Sequence, residues 1–211
     1  VRIGIAQDAA FGFYYPDDLE SLSAAGAELV TIDTLNDPSL PEIDGLFVGG
    51  GFPETQAEKL SANTSLRGDI RQALAAGMPA YAECGGLMYL SRSLTWNGER
   101  HEMVGAVPGD AVMHATPVGR GYVRLRETAD FPWPPSSAAD VPVHEFHYAS
   151  LENLPDDMAF AYQVLRGHGI DGKRDGLIVG NLLAIFSHQR NVQGNPWAER
   201  FVGFVRSKAD G

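Results

Sequence analysis

Cysteine is nearly absent from this chain of 211 residues, which contains only one and so cannot form an internal disulfide. A single free cysteine is typical of a protein kept in a reducing compartment, and we therefore expect a cytoplasmic location. Apolar runs of membrane-spanning length are missing, and the first residues do not resemble a signal peptide, so we expect no contact with a membrane.

Signatures of metal and nucleic-acid binding are also missing. Neither a Cys-x-x-Cys pair nor a His-Glu-x-x-His sequence occurs, so we expect no metal site and no cofactor in this chain. The net charge of −11 disfavours a nucleic-acid-binding surface. The length fits one compact domain, which we expect to span residues 1–211.

The only cysteine, Cys84, lies where an apolar run gives way to a helical pattern. Ala82 precedes it by two positions, and Gly85 and Gly86 follow it directly. Small neighbours of this kind are typical of a nucleophile elbow, in which the turn leaves no room for larger side chains. The helix start favours a thiolate, and the next backbone N–H can point at an oxyanion. The alternative is a buried core cysteine that packs as a small hydrophobe.

Strands and helices alternate in the first half of the chain, which predicts an α/β fold with a mostly parallel open sheet flanked by helices. Strands are expected at residues 1–6, 28–32, 45–48 and 78–82, and helices from residue 16 and at residues 55–60 and 65–76. Short β-like runs dominate after residue 96, among them residues 103–107, with a proline-rich loop at 131–135. A last helix is expected at residues 196–207, with Asn195 as its N-cap.

A thiolate nucleophile needs a base, and His188 is the best-placed histidine because it follows the last apolar strand. Reactive groups collect at the carboxyl ends of strands in open α/β sheets. The alternative is a surface histidine at a strand end. The three glycines at 49–51 also follow a strand, so the N–H groups of Gly50 and Gly51 could complete an oxyanion hole with that of Gly85, unless they form only a tight turn.

The segment His144-Glu145-Phe146-His147-Tyr148 carries an unusual density of functional groups. Strand alternation would place His144, Phe146 and Tyr148 on one face and Glu145 and His147 on the other. The segment could bind substrate or orient the catalytic histidine. A zinc site there has little support because no third ligand is indicated.

These pieces, in this order, resemble the glutaminase domain of the cobyrinic acid a,c-diamide synthase family. The resemblance is carried by Leu40-Pro41-x-x-Asp44-Gly45, Gly49-Gly50-Gly51-Phe52-Pro53-Glu54, Ala82-Glu83-Cys84-Gly85-Gly86-Leu87-Met88-Tyr89-Leu90 and the segment from His144 to Tyr148, together with the aromatic run at 11–15.

The resemblance implies a class I glutamine amidotransferase fold of flavodoxin-like architecture. It also implies that Cys84 is the nucleophile, that His188 is its base and that the amides of Gly50, Gly51 and Gly85 serve the oxyanion. Glutamine is the expected substrate, and residues near His147 and Tyr148 are expected to bind it.

One departure from the family pattern concerns the third catalytic residue. Family members end the last strand with a second histidine two positions after the first, and many class I amidotransferases carry glutamate there, but this chain has Arg190. An arginine cannot orient an imidazolium. The third residue therefore stays unassigned, and Glu145 and Glu54 are the candidates that the sequence offers.

A second departure concerns what this chain does not contain. Full-length synthases resemble a fusion of an N-terminal P-loop ATPase to this glutaminase, and the ATPase uses ATP and Mg²⁺ to activate a tetrapyrrole carboxylate. We therefore expect the chain to supply ammonia to an ATP-dependent synthetase domain or subunit acting on a tetrapyrrole. The alternatives are a sirohaem-type or nickel-tetrapyrrole amidotransferase, a catalytically silent binding module and a general cysteine hydrolase.

Overall fold

A computed structural model describes residues 1–134 and 140–209. Within them lie five α-helices: α1 (Pro16–Ala24), α2 (Ala57–Ala62), α3 (Thr64–Ala75), α4 (Gly85–Leu90) and α5 (Trp197–Ala209). The strands before α4 are β1 (Arg2–Ala6), β2 (Phe11–Phe13), β3 (Glu28–Ile32), β4 (Gly45–Val48), β5 (Gly50–Gly51) and β6 (Ala80–Glu83). The later strands are β7 (Ser93–Trp96), β8 (Glu99–Glu102), β9 (Asp110–Met113), β10 (Gly119–Glu127), β11 (Val141–His147), β12 (Ala149–Glu152), β13 (Ala159–Arg166), β14 (Arg174–Val179) and β15 (Leu182–Ile185).

The centre of the fold is a nine-stranded sheet in the order β11-β10-β13-β14-β15-β6-β4-β1-β3. The strands from β15 to β3 are parallel, as the alternation of strands and helices predicts. The strands from β11 to β15 pair antiparallel and extend the sheet on the other side. The predicted α/β class is confirmed, with an antiparallel half added where short connections replace crossover helices.

Different helices pack on the two faces of the central sheet. Successive side chains along each strand point to opposite faces, so each strand contributes to both. Tyr81 of β6 points to the face covered by α1 and α5, whereas Ala80 and Ala82 point to the face covered by α2, α3 and α4. The second face also packs against a small sheet in the order β12-β9-β7-β8. The carboxyl ends of the parallel strands β4, β6 and β15 consequently meet at one edge of the central sheet, where the functional residues lie.

Two predicted local features differ in the structure. Residues 103–107 form no strand. They belong to the connection after β8, in which Met103 and Val104 are buried in the core. The last helix begins at Trp197, and the backbone N–H of Ala198 in its first turn donates a hydrogen bond to Oδ1 of Asn191 at 3.0 Å. The prediction that Asn195 is the N-cap is therefore wrong. The proline-rich loop is irregular as far as residue 134, and its last residue, Pro135, lies outside the described residues.

Candidate active site

Cys84 occupies a strained turn between β6 and α4. Its φ of 47° and ψ of −101° lie in a region that residues with a side chain rarely adopt, at a cost of about 1–3 kcal/mol. A Cβ at Gly86 would lie 2.0 Å from the carbonyl oxygen of Val48, and one at Gly85 would lie 3.0 Å from the nitrogen of Gly51. The glycines are therefore required by close backbone approach, and the predicted elbow geometry is present.

His188 lies just beyond β15, the strand that pairs with β6, and β6 leads into Cys84. Its backbone exchanges two hydrogen bonds with His144 of β11, with N···O distances of 2.7 and 3.3 Å. The two imidazole rings stack with centroids 5.0 Å apart. The segment at 144–148 thus orients His188, which is one of the two roles that the sequence left open for it.

The charge state of His188 follows from its neighbours. Burial disfavours the imidazolium, but the neighbouring acidic side chains of Cys84 and Glu83 favour it more strongly, and they raise the pKa of His188 well above 6.5. Burial and the charge of His188 lower the pKa of His144 below its usual value, so the stacked partner stays neutral. The site therefore holds one imidazolium against two acidic groups.

Glu83 is the carboxylate that reaches His188, and sequence reasoning missed it. Its Oε2 lies 3.5 Å from Nδ1 of His188, while its Oε1 accepts hydrogen bonds from the Tyr81 hydroxyl and the Gln189 N–H. In the register of β6 and β15, Glu83 is the partner of Ile185, three residues before the histidine. An acidic residue at the end of a buried strand, directly before the candidate nucleophile, was the available signal.

The two carboxylates named from the sequence lie elsewhere. Glu145 accepts hydrogen bonds from the backbone N–H groups of His168 and Gly169, at 2.7 and 2.8 Å, and lies 3.5 Å from His147. These contacts hold its pKa below the usual value despite burial, which acts in the opposite direction. Glu54 belongs to a short 3-10 helix, Pro53–Gln56.

Arg190 also turns away from Cys84 and His188. Its guanidinium pairs with the carboxylate of Asp17 at 2.5 Å and lies over the ring of Tyr15, 3.8 Å from the centroid. It therefore ties the start of α1 to the chain beyond β15. Arg190 occupies the position at which many class I amidotransferases carry glutamate, but its contacts hold Asp17 and Tyr15. The carboxylate that approaches His188 is that of Glu83, at the end of the neighbouring strand β6.

A cavity of about 230 Å³ opens over Cys84 and His188. Its other walls come largely from aromatic side chains, namely Phe13, Tyr14, Tyr15, Phe52 and Phe146, together with His144. The carbonyl oxygen of Phe146 lies 4.0 Å from the cysteine Sγ. A small amide substrate could enter this space and meet the sulfur.

The residues predicted to bind substrate are placed differently. Among the described residues that line the cavity, neither His147 nor Tyr148 occurs. The His147 ring is buried, stacks on Phe186 with centroids 4.2 Å apart, and contacts the carbonyl oxygen of Ala149 at 2.8 Å. The predicted alternation of this strand is confirmed, but the face that meets the cavity carries His144 and Phe146.

The glycine loop closes the other side of the cavity. A Cβ at Gly50 would lie 2.7 Å from Cε1 of His188, and one at Gly51 would lie 1.9 Å from the carbonyl oxygen of Ala10. The hydroxyl of Tyr14 accepts a hydrogen bond from the N–H of Gly49 at 2.9 Å and fixes the loop where it leaves β4. The loop thus brings the backbone of Gly51 beside Gly85.

Within residues 1–134 and 140–209, no group of three or more His, Cys, Asp or Glu side chains could hold a metal ion. No helix among the described residues is both long enough and apolar enough to cross a membrane.

Comparison with known proteins identifies close relatives. A family model described as CobB/CobQ-like glutamine amidotransferase domain matches residues 2–195. The cobyrinate a,c-diamide synthase of Magnetococcus marinus is 46% identical over 209 residues, covering 99% of this chain and 44% of the relative. The Methanosarcina acetivorans protein of the same name is 44% identical, covering 90% of this chain and 41% of the relative. The chain thus spans less than half the length of these curated relatives.

Solved structures show the same fold at low identity. The PurLQS structure from Thermotoga maritima matches with a TM-score of 0.71 at 14% identity, covering 99% of this chain and 98% of that chain. A glutamine amidotransferase from Thermotoga maritima matches with a TM-score of 0.59 at 13% identity, covering 100% of this chain and 86% of that chain. These likenesses establish the architecture alone.

Proposed function

Since the chain belongs to the CobB/CobQ-like glutamine amidotransferase domain family, we propose that it hydrolyses glutamine through a thioester on Cys84 and supplies the ammonia to an ATP-dependent synthetase. The observation that carries the proposal is that Cys84 and His188 line one cavity while the Glu83 carboxylate lies 3.5 Å from Nδ1 of His188. A nucleophile, a proton donor and a carboxylate behind the donor are the parts that amide hydrolysis by a thiolate requires.

The reaction begins with attack of the Cys84 thiolate on the side-chain carbonyl carbon of glutamine. The negative oxygen that forms would be bound by backbone N–H groups of Gly85 and the loop at Gly50 and Gly51. When the tetrahedral intermediate collapses, the C–N bond breaks, and the His188 imidazolium gives its proton to the leaving nitrogen. The products of this half are ammonia and a glutamyl thioester.

The second half consumes one water. Neutral His188 takes a proton from the water as the oxygen attacks the thioester carbonyl. The C–S bond then breaks, glutamate leaves, and the thiolate and the imidazolium are restored. Glu83 keeps the imidazole oriented through both halves and stabilises its positive form, so we assign it the role of positioning residue.

The acceptor of the ammonia is inferred from the curated relatives. Those reported above carry the name cobyrinate a,c-diamide synthase, which supports cobyrinic acid over a sirohaem-type or nickel-containing tetrapyrrole. The ATP and Mg²⁺ that carboxylate activation needs would be bound by the synthetase part, as a domain or as a subunit. Amidation then requires only that ammonia reach the activated carboxylate.

The glutaminase step is tested by ammonia release from glutamine, with wild type compared with Cys84→Ala and His188→Gln. We expect both variants to lose activity, and wild-type Cys84 to be alkylated by 6-diazo-5-oxo-norleucine as read by intact mass. His101→Gln is the matched control, because His101 lies on β8 in the smaller sheet. Equal ammonia release by wild type and Cys84→Ala would contradict the proposal.

The acceptor is tested with a chimera in which this chain replaces the matched part of the Magnetococcus marinus relative. With ATP and Mg²⁺, we expect glutamine-dependent amidation of cobyrinic acid, detected by mass spectrometry. The same chimera carrying Cys84→Ala should amidate only when free ammonia is supplied. Glutamine-dependent amidation that survives this substitution would show that the ammonia comes from another site.

A further inference from the structure

We propose that Tyr81 and Gln189 are positioning residues that fix the Glu83 carboxylate for His188, through a buried chain of hydrogen bonds that ends at Asn195. The inference rests on the proposed glutaminase function and names the groups that prepare its proton donor. Tyr81 lies on β6, two residues before Glu83, and Gln189 and Asn195 lie between β15 and α5.

The two oxygens of Glu83 have separate tasks. Oε1 accepts the O–H of Tyr81 at 2.5 Å and the backbone N–H of Gln189 at 2.9 Å. Oε2 faces Nδ1 of His188 at 3.5 Å. Because one oxygen is held by two donors, the direction of the other is set before substrate arrives. Preorganisation of this kind lets a carboxylate hold an imidazole in one orientation.

The hydrogen bonds beyond Glu83 run in one direction. Asn195 donates from Nδ2 to Oε1 of Gln189 at 3.0 Å, and Gln189 donates from Nε2 to the Tyr81 oxygen at 3.0 Å. The phenol proton is therefore left to point at Glu83. All four side chains are buried, so solvent does not compete for these bonds.

The protonation of Tyr81 is consistent with this direction. Burial and the nearby charge of Glu83 raise the pKa of Tyr81 well above 10. The phenol thus remains a donor wherever the glutaminase would operate. Loss of this one donor should loosen Oε1, let the carboxylate rotate, and weaken its contact with the imidazolium.

The packing role of the Tyr81 ring must be distinguished from the role of its hydroxyl as a hydrogen-bond donor to Glu83. The ring stacks on Phe47 with centroids 5.2 Å apart and packs against Trp197 at 5.1 Å. Tyr81→Phe keeps that packing and removes only the hydroxyl. Tyr89→Phe is the matched control, because Tyr89 is also fully buried and its hydroxyl has no hydrogen-bond partner among the described residues.

The readout has to report on His188 and not on folding alone. The titratable or charged groups near its ring are Glu83, Cys84, His144, Arg190, Tyr14 and Tyr15. Tyr81→Phe leaves all six in place. A shift in the pH dependence would therefore follow from the orientation of Glu83.

The experiment measures two pH profiles for wild type, Tyr81→Phe, Gln189→Leu and Tyr89→Phe. One profile is kcat/KM for ammonia release from glutamine, and the other is the rate of Cys84 alkylation by iodoacetamide. For Tyr81→Phe and Gln189→Leu we expect the alkaline limb of kcat/KM to move down by about 0.5–1 pH unit, because the imidazolium is less well supported. The change in the alkylation rate that marks deprotonation of the imidazolium beside Cys84 should move down by the same amount.

The outcomes separate the two proposals. Shifted profiles in Tyr81→Phe or Gln189→Leu, with Tyr89→Phe like wild type, support the positioning role. Unshifted profiles in folded Tyr81→Phe overturn it while leaving the glutaminase intact, and if that variant does not fold, Gln189→Leu decides in the same way. Wild type that releases no more ammonia than Cys84→Ala contradicts the glutaminase, and the alkylation profiles then still decide the positioning role.

Discussion

Replacing Glu83 by glutamine removes the negative charge beside His188 and leaves the side-chain shape nearly unchanged. Nδ1 of His188 and Oε2 of Glu83 lie 3.5 Å apart. Two unit charges at that distance attract by about 5 kcal/mol at an effective dielectric constant of about 20. Relaxation of the surroundings absorbs part of this, and a neighbouring opposite charge commonly changes a pKa by about 1–3 units. We expect the pKa of His188 to fall by about that amount.

The assay for Glu83→Gln combines a direct titration with kinetics. NMR titration of the ring protons, with His188→Gln to assign the signal among the six histidines, measures the pKa of His188 itself. The alkaline limb of kcat/KM for glutamine hydrolysis should move down with it, since in the proposed mechanism the imidazolium is the acid that protonates the leaving nitrogen. Glu54→Gln is the control, and its profile should match that of wild type.

The same substitution gives a prediction for stability. The pKa of His188 is raised in the folded state, so its contribution to the free energy of unfolding is fully present below about pH 6.5 and is lost as the pH rises through the folded-state pKa. Glu83→Gln lowers that folded-state pKa. The difference in the free energy of unfolding between wild type and the variant, measured with urea, should therefore be larger at pH 6 than at pH 10.

Two results would refute this reasoning. A His188 pKa that is the same in wild type and Glu83→Gln would mean that the carboxylate does not support the imidazolium. Loss of activity in Glu54→Gln with retention in Glu83→Gln would mean that the third residue was correctly sought at Glu54 and that the 3.5 Å contact has no catalytic role.

Two further substitutions test the packing around the site. Gly86→Ala would place a Cβ 2.0 Å from the carbonyl oxygen of Val48, so we expect the free energy of unfolding to fall by several kcal/mol. Gly68→Ala, on an open face of α3, is the control and should raise the free energy of unfolding by about 0.5–1 kcal/mol. Equal urea midpoints for the two variants would contradict this. Asn191→Ala removes the acceptor for the N–H of Ala198 at the start of α5 and should cost about 1 kcal/mol, and an unchanged melting temperature would show that water replaces the cap.

The amino-acid sequence determined the features that depend on neighbours along the chain. The turn at Cys84 was predictable because adjacent glycines set its backbone, and the parallel half of the sheet was predictable from the alternation of strands and helices. His188 was placed at the correct edge because carboxyl ends of parallel strands meet there. The faces of the strand at 144–148 followed from its period of two residues.

Only the tertiary structure decided which side chains meet across strands. Glu83 and Gln189 are 106 positions apart in sequence, and their contact depends on the register of β6 and β15, which no local pattern encodes. The burial of His147 was likewise undecided, since a period of two defines two faces without saying which one meets the cavity. The sequence alone therefore identified Cys84 as the candidate nucleophile, and the fold placed the Glu83 carboxylate beside the candidate histidine.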